Sequence, residues 1–157
     1  MASEGARKAR LCHEIKSLFS KPPWGITCTP EKEDIYNALN VRMCGPKGSP
    51  YESGVFKLLI NVPNNYPFEP PLVKFVTSVY HPNIDSAGRI CMNMLKMPPK
   101  GTWLPTITIE TLLISIQTLL AHPNPDDPLV TEIAMEYKYN IEEFNKKARK
   151  HTKEYAM

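Results

Sequence analysis

Two stretches of alternating apolar and polar residues, separated by a glycine- and proline-rich turn, constrain this chain most. Residues 35–43 place Ile35, Leu39, Val41 and Met43 on one side at period two, and residues 55–62 do the same with Phe56, Leu58, Ile60 and Val62. Successive side chains of a strand point to opposite faces, so this period marks a half-buried strand. Between them Gly45-Pro46-Lys47-Gly48-Ser49-Pro50 is a turn signal. A shorter candidate, Ile26 to Pro30, precedes the pair, and Leu72 to Thr77 follows with Val73 and Phe75 inward. Strands in succession with short connections predict an antiparallel meander.

Helical spacing takes over on both sides of that sheet. Residues 4–19 carry Leu11, Ile15, Leu18 and Phe19 as a stripe, with Arg7, Lys8, Arg10 and Lys16 mostly off it, and Pro22-Pro23 ends the helix. Thr108 is the expected N-cap of a helix over 109–121, whose Ile109, Leu112, Leu113, Ile116, Leu119 and Leu120 form a broad apolar face. A short helix over 130–138 follows. A last one begins at the Asn140…Glu143 capping pair and runs Phe144, Ala148 and Tyr155 along one side. Its Lys146, Lys147, Arg149, Lys150 and Lys153 make a solvated face. The expected class is α+β: an N-terminal helix, a four-stranded antiparallel meander, a central helix and two C-terminal helices, in one domain over 1–157.

Composition removes several functions. A net charge of +3 without a dense basic stripe does not point to direct nucleic-acid binding. The four cysteines (Cys12, Cys28, Cys44, Cys91) form no CxxC pair, so no metal site or redox motif is visible, and reduced thiols are expected. No apolar run approaches the roughly 18 residues of a membrane span.

Chemistry concentrates in His81-Pro82-Asn83-Ile84-Asp85-Ser86-Ala87-Gly88-Arg89-Ile90-Cys91. Pro82 restricts the backbone on both sides of its bond, and Asp85-Ser86-Ala87-Gly88 is a turn. An amide held beside a thiol points to acyl transfer, with sulfur carrying the acyl group and Asn83 stabilising an oxyanion. The competing reading makes Cys91 an inert thiol and Asn83 the cap of its own turn.

The His-Pro-Asn…Cys string resembles the active-site signature of the ubiquitin-conjugating enzymes. Tyr66-Pro67-Phe68-Glu69-Pro70-Pro71 upstream and Pro123-Asn124-Pro125-Asp126-Asp127-Pro128-Leu129 downstream match two further blocks of that family, in its order and approximate spacing. The resemblance implies that Cys91 accepts ubiquitin as a thioester from the activating enzyme and passes it to a substrate lysine with a ligase. No cofactor is then bound, and ATP enters only through the activating enzyme. It also implies a cis Tyr66-Pro67 bond and a place for Asp127 at the gate by which the lysine approaches, beside the alternative that Asp127 caps its own turn.

By the same resemblance the N-terminal helix with Arg7, Lys8 and Arg10 docks the activating enzyme and ligases, where composition alone reads a solvated basic face. Phe68 is a ligase anchor or, by the commoner fate of phenylalanine, core. Leu104 and Pro105 complete the ligase surface, and Trp103 is assigned to that region, more as a brace beneath the loop than as a contact. His81 is expected to pack and bond backbone rather than act as a base. Asn83 stabilises the oxyanion or holds the loop that does so, and Asn83→Ala is expected to lose about 10²–10³ in lysine transfer while loading largely survives.

Two departures stand out. Asn93 occupies a position that is Asp in many members, leaving Asp127 as the main carboxylate, and Glu69 stands where a basic residue is common. The Lys96-Met97-Pro98-Pro99-Lys100-Gly101 insertion and Tyr137-Lys138-Tyr139-Asn140 look most like the DNA-repair branch linked to Fanconi anaemia. That branch implies monoubiquitination with a RING-type ligase, a monomer in nucleus and cytoplasm, and self-modification at Lys96 or Lys100. A carrier that builds degradative chains, and a silent adaptor of the same fold, remain the alternatives.

Overall fold

The alternating stretches pair so that their inward residues face one another across the ladder. In the computed structural model, which describes residues 3–157, strands β1 (Ile26–Lys32), β2 (Ile35–Cys44), β3 (Val55–Asn61) and β4 (Leu72–Phe75) form one antiparallel sheet in chain order. Leu39 pairs with Ile60, Val41 with Leu58 and Met43 with Phe56, while Leu58 also meets Phe75. A one-residue slip would turn this whole set toward solvent, so burial fixes the register.

Helices α1 (Glu4–Ser20) and α2 (Ile109–Ala121) contribute Leu11, Ile15 and Leu18, and Ile109, Leu112, Leu113, Ile116 and Leu120, to the same core. Helices α3 (Thr131–Tyr139) and α4 (Ile141–Tyr155) close the chain. The caps form as expected: Thr108 accepts from the Thr111 N–H and Asn140 from the Glu143 N–H. The Tyr66-Pro67 peptide is cis, as is Pro98-Pro99.

Corrections fall at element ends. Phe19, Ile35 and Tyr155 are exposed rather than inward. Phe19 and Ile35 sit near the ends of α1 and β2, and Thr152 takes the buried place on α4 that Tyr155 was given. Arg7 is not on a solvated face but buried. It lies four residues before Leu11, on the inward stripe, and bonds the carbonyls of Val62 and Pro63 and the side-chain oxygen of Asn37.

Candidate functional site

Three segments without regular structure meet around Cys91. The turn before it forms as its sequence dictates: Asp85 Oδ1 accepts from the Ala87 and Arg89 N–H groups, and Oδ2 pairs with the Arg89 guanidinium at 2.6 Å. Gly88 has φ +83°, and a Cβ there would lie 1.9 Å from the Phe75 carbonyl, so only glycine lets the turn pack onto β4. The Cys91 N–H then donates to the Asn83 carbonyl at 2.9 Å.

His81 is fully buried. Its Nδ1 accepts from the Asn83 N–H, so its Nε2–H donates to Leu119 O at the end of α2. Burial pushes the imidazole down to about 4, which keeps it neutral near pH 7. It anchors backbone and has no geometry for a base at Cys91.

Asn83, also fully buried, does not present a free amide to the sulfur. Its Nδ2 donates to Asn124 O (2.8 Å) and Asp127 O (3.0 Å), and its Oδ1 accepts from the Asn124 N–H (2.8 Å). Both amide hydrogens are therefore used. These bonds match the second of its two expected roles, holding the loop: Asn83 fastens residues 124–127, and Pro82 O helps by accepting from the Leu129 and Val130 N–H groups.

What that loop delivers is a carboxylate. Asp127 Oδ2 lies 3.5 Å from Cys91 Sγ, and Lys96 Nζ approaches the sulfur from the other segment at 3.8 Å. Cys91 is half-buried. Partial burial pushes its thiol up, Lys96 pulls it down and Asp127 pushes it up, with a net rise. Asn93 is exposed in the 3₁₀ turn Asn93–Leu95 and supplies no carboxylate, so Asp127 is the acid beside the sulfur. Among the described residues, no group of three or more His, Cys, Asp or Glu side chains gathers in a way that could hold a metal ion.

A second surface lies on the loops before β4 and after the 3₁₀ turn. Phe68 (46% exposed) and Leu104 (56%) stand out from it, excluding the core reading of Phe68, and Pro105 is half-buried. Trp103 is 1% exposed and donates from Nε1 to Pro67 O, so it braces the surface and cannot itself meet a partner. Glu14 is the residue sequence reading missed. Buried on the α1 stripe, it accepts from the Tyr66 hydroxyl, the Ile109 N–H and the Arg10 guanidinium. Arg10 also donates to the carbonyls of Pro105 and Ile107. The signal was present: position 14 lies between Leu11 and Leu18 on the apolar face, where a charge needs partners. Arg10 thus bonds its own chain, and Arg7 is spent inside it, which leaves Lys8 as the exposed cation of the three.

Known proteins resemble this chain in sequence over nearly its whole length. A sequence profile described as "Ubiquitin-conjugating enzyme" matches residues 10–152. The chain belongs to the ubiquitin-conjugating enzyme family. It is 52% identical over 150 residues to "Ubiquitin-conjugating enzyme E2 T" of Bos taurus, spanning 96% of this chain and 76% of that one. The protein of that name from Homo sapiens is 51% identical over 150 residues, again across 96% and 76%. The Danio rerio protein is 50% identical over 151 residues, across 96% and 77%. The expected likeness to the T-type ubiquitin-conjugating enzymes therefore holds. As a ubiquitin-conjugating enzyme the chain is a ubiquitin transferase that works through a cysteine thioester, between an activating enzyme and ligases.

Proposed function

We propose that Cys91 is the thioester cysteine, that Asp127 serves the incoming lysine, and that Asn83 holds Asp127 in place. In loading, the Cys91 thiolate attacks the carbonyl carbon of ubiquitin's terminal glycine. The bond to the activating enzyme's sulfur breaks, and that sulfur leaves as a thiolate. In discharge, a lysine nitrogen attacks the new thioester, and Cys91 is released. A free lysine has a pKa near 10.4, so well under about one in a thousand is neutral at pH 7. A carboxylate beside the sulfur orients the amine and takes up its proton as the bond to carbon forms.

The observation that carries this reading is the 3.5 Å approach of Asp127 to a half-buried sulfur, on a loop fastened by Asn83. The test is incubation with activating enzyme, ATP and ubiquitin. A reductant-sensitive adduct about one ubiquitin heavier, absent in Cys91→Ala, is expected; the same adduct in Cys91→Ala would overturn the assignment.

The finer reading is a RING-type ligase bound at Phe68, Leu104 and Pro105, with Lys8 at its edge. The product is monoubiquitination in DNA interstrand crosslink repair, by a monomer in nucleus and cytoplasm. The exposure of Phe68 and Leu104 supports the docking surface. The Lys96–Gly101 insertion supports the DNA-repair branch. Lys96, with its Nζ 3.8 Å from Cys91 Sγ, and Lys100 on the same insertion are the candidates for self-modification. A panel of RING ligases assayed for stimulated discharge tests the partner, and single additions rather than ladders test the product.

A further inference from the structure

We propose that Lys96 is a positioning residue for loading: its ammonium steadies the Cys91 thiolate against Asp127, and the Met97–Gly101 loop exists to hold it there. The proposal rests on Cys91 being the acceptor, and goes beyond it by dividing the two half-reactions between two oppositely charged neighbours.

The charged groups facing the sulfur come from two segments, Lys96 Nζ at 3.8 Å and Asp127 Oδ2 at 3.5 Å. His81, on the same segment as Cys91, is buried and neutral and turns its ring to Leu119. Loading needs negative charge on sulfur, which a cation favours and a carboxylate opposes. Discharge needs a proton taken from an amine, which a carboxylate favours. The thiol proton lost in loading goes to solvent; Lys96 keeps its own and takes no part in bond making.

Lys96 itself is exposed, so packing of its side chain does not place it. Its backbone does. Lys96 O accepts from the Trp103 N–H at 3.0 Å, the Lys96 N–H donates to Asn93 O, and the Gly101 N–H closes the loop on Met97 O at 2.9 Å. At Gly101 a Cβ would stand 2.2 Å from Lys96 O and 2.3 Å from Lys96 Cβ. The insertion thus folds directly back on Lys96, and buried Trp103 anchors its far end.

The test follows alkylation of Cys91 by iodoacetamide against pH, with the Cys91 peptide quantified by mass spectrometry, for wild type, Lys96→Met, Lys96→Arg, Asp127→Asn and Gly101→Ala. Raising a thiol's pKa lowers its ionised fraction but makes the thiolate a better nucleophile, so the net change is muted. Lys96→Met should shift the midpoint up and slow alkylation below it by about threefold, an effect that shrinks in 1 M salt. Lys96→Arg, which keeps the charge but offers no amine for self-modification, should stay near wild type. Asp127→Asn should move the midpoint the other way. Gly101→Ala, with its melting temperature checked, should resemble a milder Lys96→Met. A Lys96→Met midpoint equal to wild type overturns the proposal. Absence of any reductant-sensitive ubiquitin adduct on wild type would instead sink the assignment of Cys91, so the two failures are distinct.

Discussion

The Cys91 gate and the Phe68 surface are both made of loops, and in each a buried polar side chain ties separate segments together. At the gate that side chain is a neutral amide, Asn83, with three bonds to backbone. At the Phe68 surface it is a charge, Glu14, bonded to a hydroxyl, an N–H at the first turn of α2 and a guanidinium. An amide matches carbonyls and an N–H without any charge to desolvate, and it leaves the local field to Asp127 and Lys96. A carboxylate is costlier to bury. It draws on the α2 N-terminus and Arg10 to offset that cost, and it ties α1, the Tyr66 loop and the 103–109 loop into one block. A site whose chemistry depends on charge is best braced by a group that has none, whereas the proposed docking surface tolerates a charged brace.

The sharpest way to break this pairing is Glu14→Ala. It strands the Tyr66 hydroxyl and the Ile109 N–H in the core, and a loss of about 3–4 kcal/mol in urea unfolding is expected. Thioester loading per folded molecule should change little; a stability loss below about 1 kcal/mol would show that Glu14 is not the brace.

The gate has its own pH limit. His81 titrates at about 4 in the folded protein against about 6.5 unfolded. The unfolded chain therefore binds more protons between those values. This stability is fully present above pH 6.5 and is lost as pH falls toward 4, up to about 3 kcal/mol. His81→Gln should flatten the wild-type decline between pH 7 and 4.5, and parallel declines would count against it.

Next in size, Asn83→Ala orphans two carbonyls and one N–H, for an expected loss of about 2–3 kcal/mol. Because Asp127 sits on the freed loop, lysine discharge should fall further than loading in single-turnover assays. Equal losses in both would separate the gate from Asp127 and reduce Asn83 to a stability role.

Smallest in stability is Phe68→Ala. The side chain is 46% exposed, so unfolding should shift by less than about 0.5 kcal/mol. Ligase-stimulated discharge should nevertheless drop about tenfold or more while unstimulated discharge holds. An unchanged ligase response would remove Phe68 from the docking surface.

Much of this was readable from residue order. The period-two runs at 35–43 and 55–62 marked two strands and, Ile35 apart, their inward faces, and the Thr108 and Asn140 caps began helices where expected. Failures came where an apolar residue sat near an element's end, as with Phe19 and Ile35, because periodicity says nothing about where the neighbouring layer stops. They came also with polar residues on an inward stripe: Arg7 and Glu14 follow the Leu11 spacing, yet apart from Arg10 their partners lie 30–95 residues away.

By itself the sequence determined the elements, the family and the presence of a thiol behind a proline-braced loop. These follow from local periodicity, backbone restriction and motif order. Only the tertiary structure decided which way Asn83 faces, that Asp127 and Lys96 flank the sulfur, and that Glu14 binds three separate segments. A buried polar group must take whatever donors and acceptors the folded chain brings within about 3 Å, and distant loops supply them.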